Sequence, residues 1–187
     1  MATSARFRGF ASMVERTFLL YGDRGERIVS GAAALAADAG FVEVSDRAQA
    51  NFALAPLLQR KLSDEEIATP TLVFHPSLLP RHRGRDAIRW ALASGARYSG
   101  VTWFWADSDY DAGDVCEQGV VEIIPGERPR GFYERAIDEG LRLLAFALGD
   151  IARGIQRRRP QRLAAATFEP RWPSTVDTTI GRADGAA

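Results

Sequence analysis

Side chains able to exchange a proton near neutral pH gather in one stretch of this sequence, Phe74 to Asp114 (FHPSLLPRHRGRDAIRWALASGARYSGVTWFWADSDYDAGD). His75 stands where the apolar run Thr71 to Phe74 ends, and Pro76 after it biases its backbone toward an extended form from which the ring can project. Four carboxylates, Asp107, Asp109, Asp111 and Asp114, follow a second apolar run, Val101 to Trp105. A histidine with a pKa of about 6.5 takes and returns a proton around neutrality, and an adjacent carboxylate fixes its tautomer and stabilises the imidazolium. Such a pair suits acyl transfer, where a tetrahedral oxyanion needs a donor and a departing nitrogen needs a proton. The same residues would also serve as a surface or packing histidine and a solvated acidic turn; spacing by itself does not decide.

The elements that must position this stretch are readable from period and punctuation. Arg16 to Tyr21 is a short apolar run closed by Gly22, which predicts a buried strand. Glu26 to Ala39 places Ile28, Val29, Ala32 and Leu35 at helical spacing before Gly40. Asn51 to Leu58 predicts a second strand; Ser63 and Glu66 have the spacing of a capping box on a short helix, and Thr71 to Phe74 predicts a third strand. Asp86 to Ser94 predicts a helix, Val101 to Trp105 and Val115 to Ile124 strands, and Phe132 to Arg158 the longest helix. Alternating strands and helices define an α/β domain with a largely parallel twisted sheet, whose ligands belong at the carboxyl ends of the strands. Two adjacent strand ends would bring His75 and the acidic loop together.

Bulk properties narrow the classes. The 187 residues, with 46% apolar and 26% charged, suit one globular domain with a substantial core. Lys plus Arg and Asp plus Glu are both 24, so no global field favours nucleic acid or a membrane surface. The single cysteine, Cys116, forms no internal disulfide and offers no metal-ligand spacing, which fits a reducing cytoplasm. No run reaches the length of a membrane span. The first residues, up to Glu15, are Arg- and Ser-bearing, a composition shared by transit peptides and by ordinary N-terminal extensions.

The Phe74 to Asp114 stretch resembles the signature of the formyltransferases that use 10-formyltetrahydrofolate, acting on glycinamide ribonucleotide, methionyl-tRNA and sugar amines. The matching residues are His75, Pro76, Ser77, Leu78, Leu79 and Pro80, then Arg83 and Gly84, Gly100-Val101-Thr102, and Asp111-Ala112-Gly113-Asp114. FHPSLLPRHRG followed by FWAD is most similar to the hydrolase-domain branch found in 10-formyltetrahydrofolate dehydrogenases. The resemblance implies a single Rossmann-like formyltransferase domain at 16–160, between an extension at 1–15 and a tail at 161–187. It implies His75 and Asp111 as the catalytic pair, and Ser77, Pro80, Arg83, Gly84, Gly113 and Asp114 as residues that shape the loops. Leu57, Leu58 and Gln59 in the PLLQRKL loop, with Asp107 and Asp109, would hold 10-formyltetrahydrofolate, although the apolar residues there would equally suit core packing. The acceptor would be a small-molecule amine or water, with no metal and no nucleic acid; a homodimer is left open.

Two departures qualify that expectation. Val73 stands where most family transferases carry an asparagine whose amide donates to the formyl oxygen, and losing one such donor costs about 10²–10³ in rate. The hydrolase-domain branch also carries an aliphatic residue there, so hydrolysis or slower transfer enters as the alternative, beside a homologue that binds without catalysing. Secondly, only about fifty residues separate the first strand from His75, short by about one βα unit. The Gly22-Asp23-Arg24-Gly25 loop is too short and mixed in charge to favour a nucleotide acceptor. Elsewhere, Phe104 is expected in core packing with Trp103 and Trp105 undecided, His82 in solvent, and Arg157-Arg158-Arg159 at a solvated helix end. The ATFEPRWP segment is similar to the stretch that follows the catalytic domain in transfer-RNA and sugar formyltransferases.

Overall fold

A computed structural model describes residues 16–173, so the expected N-terminal extension and the final GRADGAA lie outside the described residues. Its elements run β1 (Thr17–Leu20), α1 (Arg27–Asp38), β2 (Val42–Glu43), β3 (Phe52–Ala55), α2 (Asp64–Ile67), β4 (Thr71–His75), α3 (Ala87–Ala93), β5 (Tyr98–Trp105), β6 (Val115–Glu122) and α4 (Pro129–Ala152). The strands form a six-stranded sheet in the order β2-β1-β3-β4-β5-β6. The three pairings from β2 to β4 are parallel, and β4-β5 and β5-β6 are antiparallel, so the sheet is mixed and mostly parallel, as expected. No helix among the described residues is long and apolar enough to cross a membrane.

Alternation along the strands sorts side chains into two cores. Phe18, Phe52, Leu54, Leu72, Phe74, Trp103 and Trp105 face α1 and α4, which bury Ile28, Val29, Ala32, Phe132, Ile137, Leu144 and Leu148 against them. Ala55, Val73 and Phe104 point the other way and form a smaller cluster with Leu62 and Leu79. The two tryptophans therefore belong to the main core, where Trp103 Nε1 donates to the Gly140 carbonyl at 2.7 Å and Trp105 Nε1 to the Arg157 carbonyl at 2.8 Å. Phe104 packs in a core as expected, in the smaller cluster, on the face that also carries the groove described below.

Local chemistry sets the element ends. Ser63 Oγ accepts from the Glu66 N–H and the Glu66 carboxylate from the Ser63 N–H, the reciprocal cap expected for α2. The long helix α4 begins with Pro129, whose missing N–H costs nothing at a first turn, and stops at Ala152 rather than Arg158, with Gly154 at φ 78°. Arg157-Arg158-Arg159 accordingly lies beyond the helix: Arg157 pairs with the buried Asp150, Arg158 lies 4.8 Å over the Trp105 ring, and Arg159 bridges to Val115. Residues 161–173 fold back across the domain, with Arg83 bridged to Phe168 and the Trp90 and Trp172 rings 4.8 Å apart.

Candidate functional site

The antiparallel register of β4 and β5 sets His75 opposite Thr102, so the histidine leaves the sheet beside the middle of β5. Thr102 Oγ1 donates to the Ser77 carbonyl at 2.7 Å and accepts from the Leu79 N–H at 3.2 Å and from Gln118 Nε2 at 2.9 Å. This buried hydroxyl pins the loop after His75. Ser77, fully buried, donates to the Arg81 carbonyl at 2.7 Å, and the Pro80 carbonyl accepts from the Thr167 N–H at 3.1 Å. These contacts tie down the loop.

His75 is 7% exposed, and its Nε2 lies 2.7 Å from the His82 carbonyl. A carbonyl oxygen only accepts, so Nε2 carries a proton and Nδ1 is the nitrogen left to exchange one. Nδ1 faces Asp111 Oδ2 at 3.7 Å. That oxygen also accepts from the Gly84 N–H at 2.7 Å. Asp111 holds φ at 50°, a left-handed conformation that costs an L-residue about 1–2 kcal/mol. A hydrogen bond to a charged group is worth about 1.5–3 kcal/mol, enough to offset that cost. His82 and Asp86 also have positive φ, at 55° and 60°, and both lie in the loop between β4 and α3. Gly113 closes the acidic turn because a Cβ there would collide with the Trp105 carbonyl.

His75 and Asp111 open into a groove of about 830 Å³, within the range of small-molecule sites. One wall is Leu57, Leu58 and Gln59 with Arg60 to Leu62; the floor includes Val73 and Phe104; Asp107, Asp109 and Tyr110 form the far side, and Arg85, Arg171 and Trp172 the rim. The first wall is anchored by Arg60, which binds both oxygens of Glu66 at 2.6 and 2.8 Å. Arg60, followed by the Ser63 N–H, holds the Glu66 carboxyl at about 2, well below the usual carboxylate range. Gln59 Oε1 accepts from Arg85 Nη2 at 3.0 Å, closing the wall toward the opposite loop.

The residues singled out from the sequence divide accordingly. His75, Asp111, Leu57, Leu58, Gln59, Asp107, Asp109, Val73 and Gly84 line one groove. Ser77, Pro80, Arg83 and Gly113 brace the loops around it. Asp114 points away, with a carboxylate 3.9 Å from Arg158 and a carbonyl accepting from the Trp105 N–H. His82 is not in solvent: its ring pairs with Glu169 at 2.9 Å with only 15% of the side chain exposed, because residues 167–169 lie over it. Gln161, Arg171 and Trp172 were missed, since nothing in the spacing of a segment after the last helix announces a return to the groove.

A family model described as formyl transferase matches residues 30–148, more than half of the chain. The cytosolic 10-formyltetrahydrofolate dehydrogenase of Mus musculus is 41% identical over 100 residues, which are 53% of this chain and 11% of that protein. That of Xenopus tropicalis is 35% identical over 133 residues, 69% of this chain and 15% of that protein. The chain thus matches only a small part of the curated relatives' length. Among solved structures, HypX from Aquifex aeolicus in complex with tetrahydrofolic acid shares the fold, with a TM-score of 0.72 at 22% identity over 84% of this chain and 30% of that one.

Proposed function

The chain belongs to the formyl transferase family, and from that premise we propose that it takes the formyl group of 10-formyltetrahydrofolate to a small-molecule amine, or alternatively to water. The observation that carries this reading is the pairing of the buried His75 with the part-buried Asp111, 3.7 Å apart, in a groove with one apolar wall and one acidic side. The flat pterin suits the wall of Leu57 and Leu58 over Val73 and Phe104, and Asp107 and Asp109 would accept from its ring N–H groups.

In the proposed reaction the acceptor nitrogen, or a water oxygen, attacks the formyl carbon and the carbonyl becomes an oxyanion. Asp111 takes the proton released by the attacking atom. His75, protonated on both nitrogens, keeps Nε2–H on the His82 carbonyl and offers Nδ1–H first to the oxyanion and then to the folate nitrogen as the carbon–nitrogen bond breaks. The proton on Asp111 then returns to Nδ1, and the pair is reset. Val73 supplies no donor, so the oxyanion rests on the imidazolium alone among the side chains of β4, which favours a slow transferase or a hydrolase.

Incubation with substrate carrying a ¹³C-labelled formyl group, with and without a panel of amines, distinguishes the acceptors. Labelled formate in every sample assigns hydrolysis, and a labelled formamide product with one amine assigns transfer. Label remaining wholly on folate would contradict both and leave a binding protein.

A further inference from the structure

We propose that Gln161 is a positioning residue for the His75–Asp111 pair, an inference that rests on the formyl-transfer reading above. Its carboxamide directs both N–H donors and an acceptor site of its oxygen to the two loops of the site. Nε2 donates to the Asp111 carbonyl at 2.9 Å and to the Gly113 carbonyl at 2.7 Å, and Oε1 accepts from Arg83 Nη2 at 2.7 Å. Arg83 stands between the two backbone groups that orient the pair: the His82 carbonyl, which accepts from His75 Nε2, and the Gly84 N–H, which donates to Asp111 Oδ2. One side chain therefore joins the loop that aims the histidine to the turn that aims the carboxylate. Because Asp111 sits in the left-handed region, the direction of its carboxylate depends on that turn being held.

A role confined to fastening the chain end does not account for these contacts. The segment after Gln161 is held independently by the Thr167 N–H on the Pro80 carbonyl, the Glu169 N–H on the Arg83 carbonyl, and Trp90 Nε1 on the Pro170 carbonyl. Removing the Gln161 amide leaves those anchors in place and frees the Asp111–Gly113 turn. Gln161 also lies beyond residues 30–148, where the family model matches.

The test uses the full chain with Gln161→Ala and the length-preserving Gln161→Met, each also in an Asp111→Asn background. Steady-state kinetics with 10-formyltetrahydrofolate and hydrogen exchange at the Gly84 amide are measured on all of them. The expected result is a fall in kcat of about tenfold with KM unchanged, no further loss in the Asp111→Asn background, and faster exchange at Gly84. An equal kcat loss in both backgrounds, a KM rise with kcat intact, or unchanged protection at Gly84 overturns the proposal. If the unsubstituted protein releases no formyl group, it is the functional reading that has failed, and exchange at Gly84 still decides whether Gln161 holds the Asp111 loop.

Discussion

Val73 and His75 lie two residues apart on β4 and so share a face, and both line the groove. Restoring an amide there, Val73→Asn, should raise kcat for transfer at least about tenfold, since one oxyanion donor is worth about 10²–10³. It should also lower stability by about 1–3 kcal/mol, because the amide replaces an aliphatic side chain packed on Leu62, Leu79 and Phe104. Initial rates and a thermal melt on the same sample check both. Gly113→Ala belongs to a different class: its Cβ meets backbone rather than a flexible side chain, so the turn must open. Unfolding should become easier by more than about 2 kcal/mol, and turnover should fall with it. At this scale the meeting of His75, Val73 and Asp111 in one groove was legible because the first two sit at the end of β4 and the third in the loop after β5. The tautomer of His75, the left-handed Asp111 and the pairing of His82 with Glu169 were not, since each depends on a loop whose path no local pattern encodes.

The elements repeat that division. Capping chemistry is local, so Ser63 and Glu66 announced α2, and helical periodicity announced α1. The two-residue β2 carries too few side chains for any period to show, and α4 ended early because Gly154 stops it although Arg157 to Arg159 are good helix formers. The Asn51 to Leu58 run split for a tertiary reason: Phe52–Ala55 joins the sheet, whereas Leu57 and Leu58 line the groove. Ser63→Ala should cost about 1 kcal/mol by removing the cap, measurable by urea denaturation at neutral pH. Glu66 adds a pH signature. Its folded pKa, about 2, lies below its reference of 4.5, so its contribution is present above 4.5 and fades as pH falls toward 2. The stability difference between the unsubstituted chain and Glu66→Gln should therefore shrink through that window, and a difference that stays constant there would show that the Arg60 pairing contributes nothing.

Across the whole molecule, one sheet separates a helical core from the face that carries the groove, and residues 161–173 return over that face to complete the rim. The composition and the strand–helix alternation made the α/β class legible, while the groove's last wall was not, because it comes from the stretch expected as a tail. Cys116 reports on the helical side: it is buried, and burial pushes its thiol up to about 12. Thiol reagents at pH 8 should leave the native protein unlabelled and modify it fully in denaturant, and rapid native labelling would show that β6 opens. On the opposite face, formyl transfer through His75 and Asp111 is checked by following tetrahydrofolate release from 10-formyltetrahydrofolate by the unsubstituted chain beside His75→Ala and Asp111→Ala, with folding checked by circular dichroism. Release should fall by at least about 10²-fold in both folded variants. Release that persists at full rate in either one would contradict it.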